Sequence, residues 1–236
     1  MAIFCLLSCE HAGNVIPEEY LHLFKGKEEV LFSHKAIDFG ALRLARHLAK
    51  ELEVPLSIMT TSRLLVEGNR SLGTDELFSE YTRHLPDQEK QAILEEYYFA
   101  HRQKVEQRIQ DRIKAGYQVL HLAVHSFTPA LEGEVREVEI GILFDPDRAL
   151  EETFARELKN SLHDLNPERK VMYNEPYPGV ADGFPTYLRG KFGPDQYAGF
   201  ELEVNQKFFL DGEERVWQQV VWEITEALKS VLKAGD

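Results

Sequence analysis

The chain has 236 residues, 43% of them hydrophobic, which is enough for one large core, and no Pro/Gly/Ser-rich linker divides it, so a single domain over 1–236 is expected. Lys and Arg number 27 against 40 Asp and Glu, a net charge of −13 that excludes nucleic acid or an anionic membrane as a main partner and leaves any anionic substrate to local arginines. No apolar run approaches the roughly 20 residues of a membrane span and no basic stretch precedes the first one, which predicts a cytoplasmic protein.

The first apolar run, near 2–9, has strand character and ends in Glu10-His11. Cys5 and Cys9 lie ~13 Å apart along it at ~3.3 Å per residue, so they do not pair with each other and are read as buried core thiols. A helix near 36–52 carries Ala41, Leu42, Ala45, Leu48, Ala49 and Leu52 as its apolar stripe, and the same period extended backwards places Asp38 on that face in the first turn. A strand near 55–61 completes a β-α-β start. A polar loop with Asn69, Arg70 and Gly73 leads to a helix over about 88–115, on which His101 shares the apolar side with Leu94, Val105 and Ile109. Packing is the expected role of His101, with a place behind a site or a contact with substrate as the alternatives. Strand 117–125, the apolar run Val138 to Phe144, a helix near 148–163 and a short strand at 170–173 follow. The loop at 174–196, with Pro176, Pro178, Gly179, Gly183 and Pro185, is long enough to suggest function. Strand 198–204 and a helix near 213–233 close the chain. This alternation predicts a mostly parallel or mixed sheet with helices on both faces.

Two of these strands end in histidine, at His11 and His125. Parallel sheets build active sites at the carboxyl ends of adjacent strands, and two imidazoles delivered there with one carboxylate and an open position would make a catalytic zinc centre. Asp38 is a candidate for the carboxylate, helix capping being its other reading. His121 points to the same face as His125 but ~13 Å further down the strand, so both cannot hold one ion. On the late strand Phe200, Leu202 and Val204 fill one face and Gly199, Glu201 and Glu203 the other, which puts Glu203 near the strand's end as a candidate general base. Arg63, Arg70 and Arg136 are candidates to clamp a carboxylate or to stabilise an oxyanion.

Ser8-Cys9-Glu10-His11-Ala12-Gly13-Asn14 with Pro17, Asp38-Phe39-Gly40-Ala41, Ser62-Arg63 with Asn69-Arg70, His125-Ser126-Phe127-Thr128-Pro129, Arg136, Asn174-Glu175-Pro176-Tyr177 and Leu202-Glu203-Val204-Asn205 together resemble the N-formylglutamate amidohydrolase family. That family is similar in fold and zinc chemistry to zinc-dependent exopeptidases and cell-wall N-acetylmuramoyl-L-alanine amidases. The resemblance implies a three-layer α/β/α sandwich of the phosphorylase/hydrolase-like, zinc exopeptidase-like kind, and one zinc ion or another divalent metal. It implies a small anionic N-acyl amino acid as substrate. By the same resemblance His11, Asp38 and His125 would be ligands, Glu203 the base and Arg136 a catalytic cation, with Arg63, Asn69, Arg70, Ser126 and Asn174 binding substrate. Two departures stand out. His11-Ala12-Gly13-Asn14 lacks the His-x-x-Glu ligand pair of zinc carboxypeptidases, which favours Asp38 as third ligand with Glu10 or Asn14 as alternatives, and Glu67 stands where the pattern Arg-x-x-x-Asp-x-Asn-Arg has aspartate. The rival readings are a zinc exopeptidase or cell-wall-type amidase, and a metal-binding or ligand-binding protein without turnover.

Overall fold

The computed structural model describes residues 2–131, 133–210 and 213–234. Its centre is a six-stranded sheet in the order β2-β1-β3-β8-β6-β7. The strands are β1 (Ile3–Cys9), β2 (Leu56–Ile58), β3 (Gln118–Phe127), β6 (Ile140–Leu143), β7 (Val171–Tyr173) and β8 (Tyr197–Asn205), while β4 (Ala130–Leu131) and β5 (Glu134–Val135) form a separate antiparallel pair. β2, β1, β3 and β8 run parallel, and β6 runs antiparallel to β8, so the sheet is mixed.

β3 and β8 are the axis of the sheet, paired in register from Val119↔Tyr197 to Phe127↔Asn205. Buried on both faces, they read as nearly continuous apolar runs in which every polar side chain needs a specific partner. One face carries Cys5, Leu7, Cys9, Leu120, Leu122, Val124, Phe200, Leu202 and Val204. It packs against the apolar stripes of α1 (Ala41–Glu51), α4 (Ala149–Leu165) and α6 (Glu214–Ala234). The opposite face is covered by α3 (Ala100–Lys114) and α5 (Phe184–Arg189), through Leu6, Val105, Ile109, Val119, Phe184, Leu188 and Tyr197. The result is the expected three-layer α/β/α arrangement. Both cysteines are free and buried in the first layer, where burial pushes the Cys5 thiol up to about 12. Among the described residues no helix is long and apolar enough to cross a membrane.

Several boundaries differ from the sequence reading. The first helix begins at Ala41, not near residue 36, because Gly40 sits at φ +83° and turns the chain before the helix can start. Asp38 therefore lies in the preceding turn, where its N–H donates to the His11 carbonyl and its own carbonyl accepts from Ala41. The second strand is regular only over Leu56–Ile58, and the chain beyond it makes a single bridge, Thr61 to Val15. The expected 88–115 helix is one rod in three parts, α2 (Asp87–Ile93), a π-helical turn (Leu94–Phe99) and α3. The 174–196 loop contains α5, started by Pro185 in its first turn.

Candidate metal centre and substrate cleft

The parallel register of β1, β3 and β8 opens a cleft at their carboxyl ends. His11 follows β1 directly, His125 stands near the end of β3, and Glu203 is its register partner on β8. The Asp38 turn reaches in from the side, fixed to His11 by the backbone bond already described. His11, Asp38 and His125 each offer a ligand atom, all within 4.8 Å of one another and all buried. Asp38 Oδ2 lies 3.1 Å from His11 Nδ1 and 2.9 Å from His125 Nδ1, so one oxygen is shared by the two imidazoles through the same ring atom of each. The two rings meet edge to face with centroids 4.8 Å apart.

The far side of each ring is held by a second carboxylate. His11 Nε2 bonds Glu67 Oε1, and Glu67 in turn accepts from Arg63 Nε at 2.6 Å. His125 Nε2 faces Glu10 Oε2 at 3.4 Å, and the other Glu10 oxygen bonds His101 Nε2 at 2.9 Å. Glu10 is thus behind His125, and Asn14 is turned away, its side-chain amide donating to the Leu31 carbonyl at 2.7 Å. Of the three acidic or amide candidates, Asp38 is the group between the imidazoles.

Burial opposes ionisation of Glu10, Asp38 and Glu67, yet the adjoining imidazoles, and Arg63 at Glu67, hold all three below the usual carboxylate range. Burial likewise opposes charge on the two ligand-side histidines, but the surrounding carboxylates win and raise both His11 and His125. Glu203 goes the other way. Burial lifts it to about 8, a shift that the charge of His125 moderates and those of Asp38 and Glu201 reinforce. The cluster therefore has more buried negative charge than fixed positive charge. A divalent cation fits that imbalance, because it would replace protons on the imidazoles and accept lone pairs already turned toward one point. Glu203, which lines the cleft, keeps its buried Oε2 without a hydrogen-bond partner among the described residues.

The cleft holds about 260 Å³ and is lined by Arg63, Arg70 and Ser126 besides the cluster, with Tyr177, Pro178, Ala181 and Asp182 of the long loop closing one side. That volume falls below the roughly 300–1,000 Å³ of sites for drug-sized molecules and suits a ligand of amino-acid size. Arg63 is committed to Glu67 and lies 3.6 Å from Asp38. Arg70 instead donates to the carbonyls of Asn69 and Asp182 and forms no ion pair with a described carboxylate, which leaves its charge for a ligand. Asn69 also lines the cleft, but both ends of its amide are occupied, by Glu201 at 2.6 Å and by the Phe184 N–H at 2.7 Å. Ser126 donates to the Phe39 carbonyl, which ties β3 to the Asp38 turn.

Two of the expected site residues do not line the cleft. Arg136 stands beside its mouth, donating to the Tyr177 hydroxyl at 3.0 Å with its guanidinium 5.1 Å from that ring's centroid. Asn174 takes a positive φ of 54° and accepts from the Phe144 N–H, so it braces the root of the loop that carries Tyr177 and Pro178. His121 occupies the lower part of the same sheet face as a satisfied core residue, 2.8 Å from both Ser8 Oγ and the Tyr197 hydroxyl. Sequence reasoning assigned no role at the site to Tyr177 or Asp182, and treated Glu10 only as an alternative ligand. The one clue to Glu10 was its charge directly at the end of an apolar strand.

The N-formylglutamate amidohydrolase family model matches residues 4–210. The chain belongs to that family. Among solved structures it is similar to a gene product of Agrobacterium tumefaciens, with 29% identity, a TM-score of 0.80 and coverage of 98% of this chain and 90% of that one. It shares its fold with an N-formylglutamate amidohydrolase from Ralstonia eutropha JMP134, at 14% identity and a TM-score of 0.68, over 99% of this chain and 93% of that one. No curated protein matches the chain by sequence. The family name denotes a hydrolase acting on amide bonds, and the cleft residues that carry charge or metal-binding capacity are His11, Asp38, Arg63, Arg70, His125, Asp182, Glu201 and Glu203.

Proposed function

We propose that this protein is a zinc-dependent amidohydrolase that releases the acyl group from a small anionic N-acyl amino acid, with N-formylglutamate as the reference substrate. The observation that carries the reading is the convergence of His11 Nδ1, His125 Nδ1 and Asp38 Oδ2, each imidazole backed by a second carboxylate, beside the unpartnered Glu203. A carboxylate behind each histidine is the arrangement by which proteins orient imidazole ligands and raise their basicity. His11, Asp38 and His125 would hold the ion, which when bound supplies Lewis acidity toward water and the acyl carbonyl.

The chain's own residues perform the rest. Glu203 takes a proton from the attacking water as its oxygen bonds the acyl carbon, then delivers that proton to the amide nitrogen as the C–N bond breaks, giving a carboxylic acid and a free amine. Burial lifts Glu203 to about 8, close enough to neutral pH for the same carboxyl group to take and return a proton. Arg70 pairs with a substrate carboxylate through parallel hydrogen bonds. Arg136, held against Tyr177 at the mouth, provides a second positive charge for a dicarboxylic substrate and stands too far out to line the reacting centre.

The test is metal analysis of protein purified without added metal, followed by a hydrolysis screen over N-formyl, N-acetyl and larger N-acyl amino acids. One bound zinc and preferential turnover of a small acyl group on an acidic amino acid is the expected result. Zinc-loaded protein that turns over none of them would overturn the reading.

A further inference from the structure

Glu10 and His101 take no part in the proposed chemistry, yet both are buried directly behind a proposed ligand. Glu10 is strung between two imidazoles, with Oε1 2.9 Å from His101 Nε2 and Oε2 3.4 Å from His125 Nε2. Glu10 Oε2 and His125 Nε2 are each buried without a hydrogen-bond partner among the described residues, and they face one another. A contraction of about half an ångström would turn that contact into a normal hydrogen bond and satisfy both atoms. With its Nε2 proton given to Glu10, His125 carries its lone pair on Nδ1, the atom that faces Asp38 and His11.

What fixes Glu10 in turn is His101, delivered by α3 and packed against Phe184 with ring centroids 5.9 Å apart. The π-helical turn at Leu94–Phe99 precedes α3, in whose first turn His101 and Arg102 are both buried. His11 has the equivalent support in Glu67 and Arg63. Each imidazole is thus backed by a carboxylate, and each carboxylate by a further group, Arg63 four residues before Glu67 and the distant His101 for Glu10.

We propose that His101 is a positioning residue for the metal centre, acting through Glu10 to hold His125 with Nδ1 turned toward the ion. The proposal rests on the metal-site reading above. Its test is zinc affinity, measured on the full-length protein by competition with a chromophoric chelator, for the unmodified protein and the variants His101→Phe, His101→Gln, Glu10→Gln and His121→Phe. His101→Phe and Glu10→Gln should each weaken zinc binding about 10–100-fold. His101→Gln, whose amide keeps an N–H for Glu10, should recover most of the loss. His121→Phe alters a buried histidine on the same strand as His125, breaking its contacts to Ser8 and Tyr197 on the neighbouring strands without touching Glu10, and should leave the affinity unchanged. Unmodified affinity in His101→Phe, or an equal loss in His121→Phe, would overturn the proposal while leaving the metal site standing. If His101→Phe does not fold, Glu10→Gln decides, since it preserves shape, and unmodified affinity there is equally fatal. Failure of the unmodified protein to bind zinc would remove the metal site itself and the proposal with it.

Discussion

Replacing His121 by glutamine isolates the acid sensitivity that burial builds into one imidazole. His121 is fully enclosed, and burial pushes its pKa down from 6.5 to about 4. In the window between those values the unfolded chain binds a proton that the folded chain refuses, so stability rises with pH there and is lost as the pH falls. Each pH unit in the window is worth about 1.4 kcal/mol, which makes the whole contribution about 3 kcal/mol and the part lost by about pH 5 close to 2 kcal/mol. Glutamine retains a donor and an acceptor for Ser8 and Tyr197 but does not titrate. Urea unfolding of the metal-free protein and of His121→Gln, each at about pH 7.5 and about pH 5, gives four free energies by linear extrapolation. The unmodified protein should lose about 2 kcal/mol more than the variant over that interval, whatever the constant cost of the substitution. Parallel losses in the two proteins would refute the reasoning, because they would mean that the imidazole titrates alike in both states.

Glu203→Gln should retain zinc and fold while kcat falls by roughly 10²–10⁴-fold; loss of metal in that variant would make Glu203 a ligand, and undiminished turnover would move the base role elsewhere. Arg70→Lys removes the planar two-bond contact but keeps the charge, and should raise KM by about tenfold for acidic N-acyl amino acids and less for neutral amides. Equal effects on the two substrate types would assign Arg70 to structure. Gly141→Ala would place a methyl 2.1 Å from the Glu175 carbonyl oxygen and 3.2 Å from the Glu203 Cβ, with backbone that has little room to yield. It should cost about 1–3 kcal/mol in urea unfolding, and an unchanged midpoint would show that the loop accommodates it.

The layers of the fold were legible because they rest on short-range patterns. The apolar runs of β1, β3 and β8 and the 3.6-residue stripes of the helices at Ala41–Glu51 and Glu214–Ala234 are written in neighbouring residues. Elements without a period went unseen, including α5 inside the long loop and the two-residue strands β4 and β5, which are too short to show one. The start of α1 was misplaced for a related reason. Helical periodicity extends smoothly back to Asp38, and only the left-handed turn at Gly40 ends it.

Sequence alone determined which residue types stand at strand ends: His11 after β1, His125 on β3 and Glu203 on β8, with side-chain parity placing His121 and His125 on one face of their strand and Glu201 and Glu203 on one face of theirs. Only the tertiary structure decided which groups meet. Asp38, Glu67 and Glu10 are all buried acids within reach of an imidazole, and nothing local distinguishes the one between the rings from the two behind them. Nor does any local pattern show that Arg63 is consumed by Glu67 while Arg70 keeps its charge free, or that Arg136 stops at Tyr177. Those outcomes depend on loops separated by tens of residues being drawn to one edge by strand order. In a buried cluster a displacement of a few ångströms changes a ligand into a support.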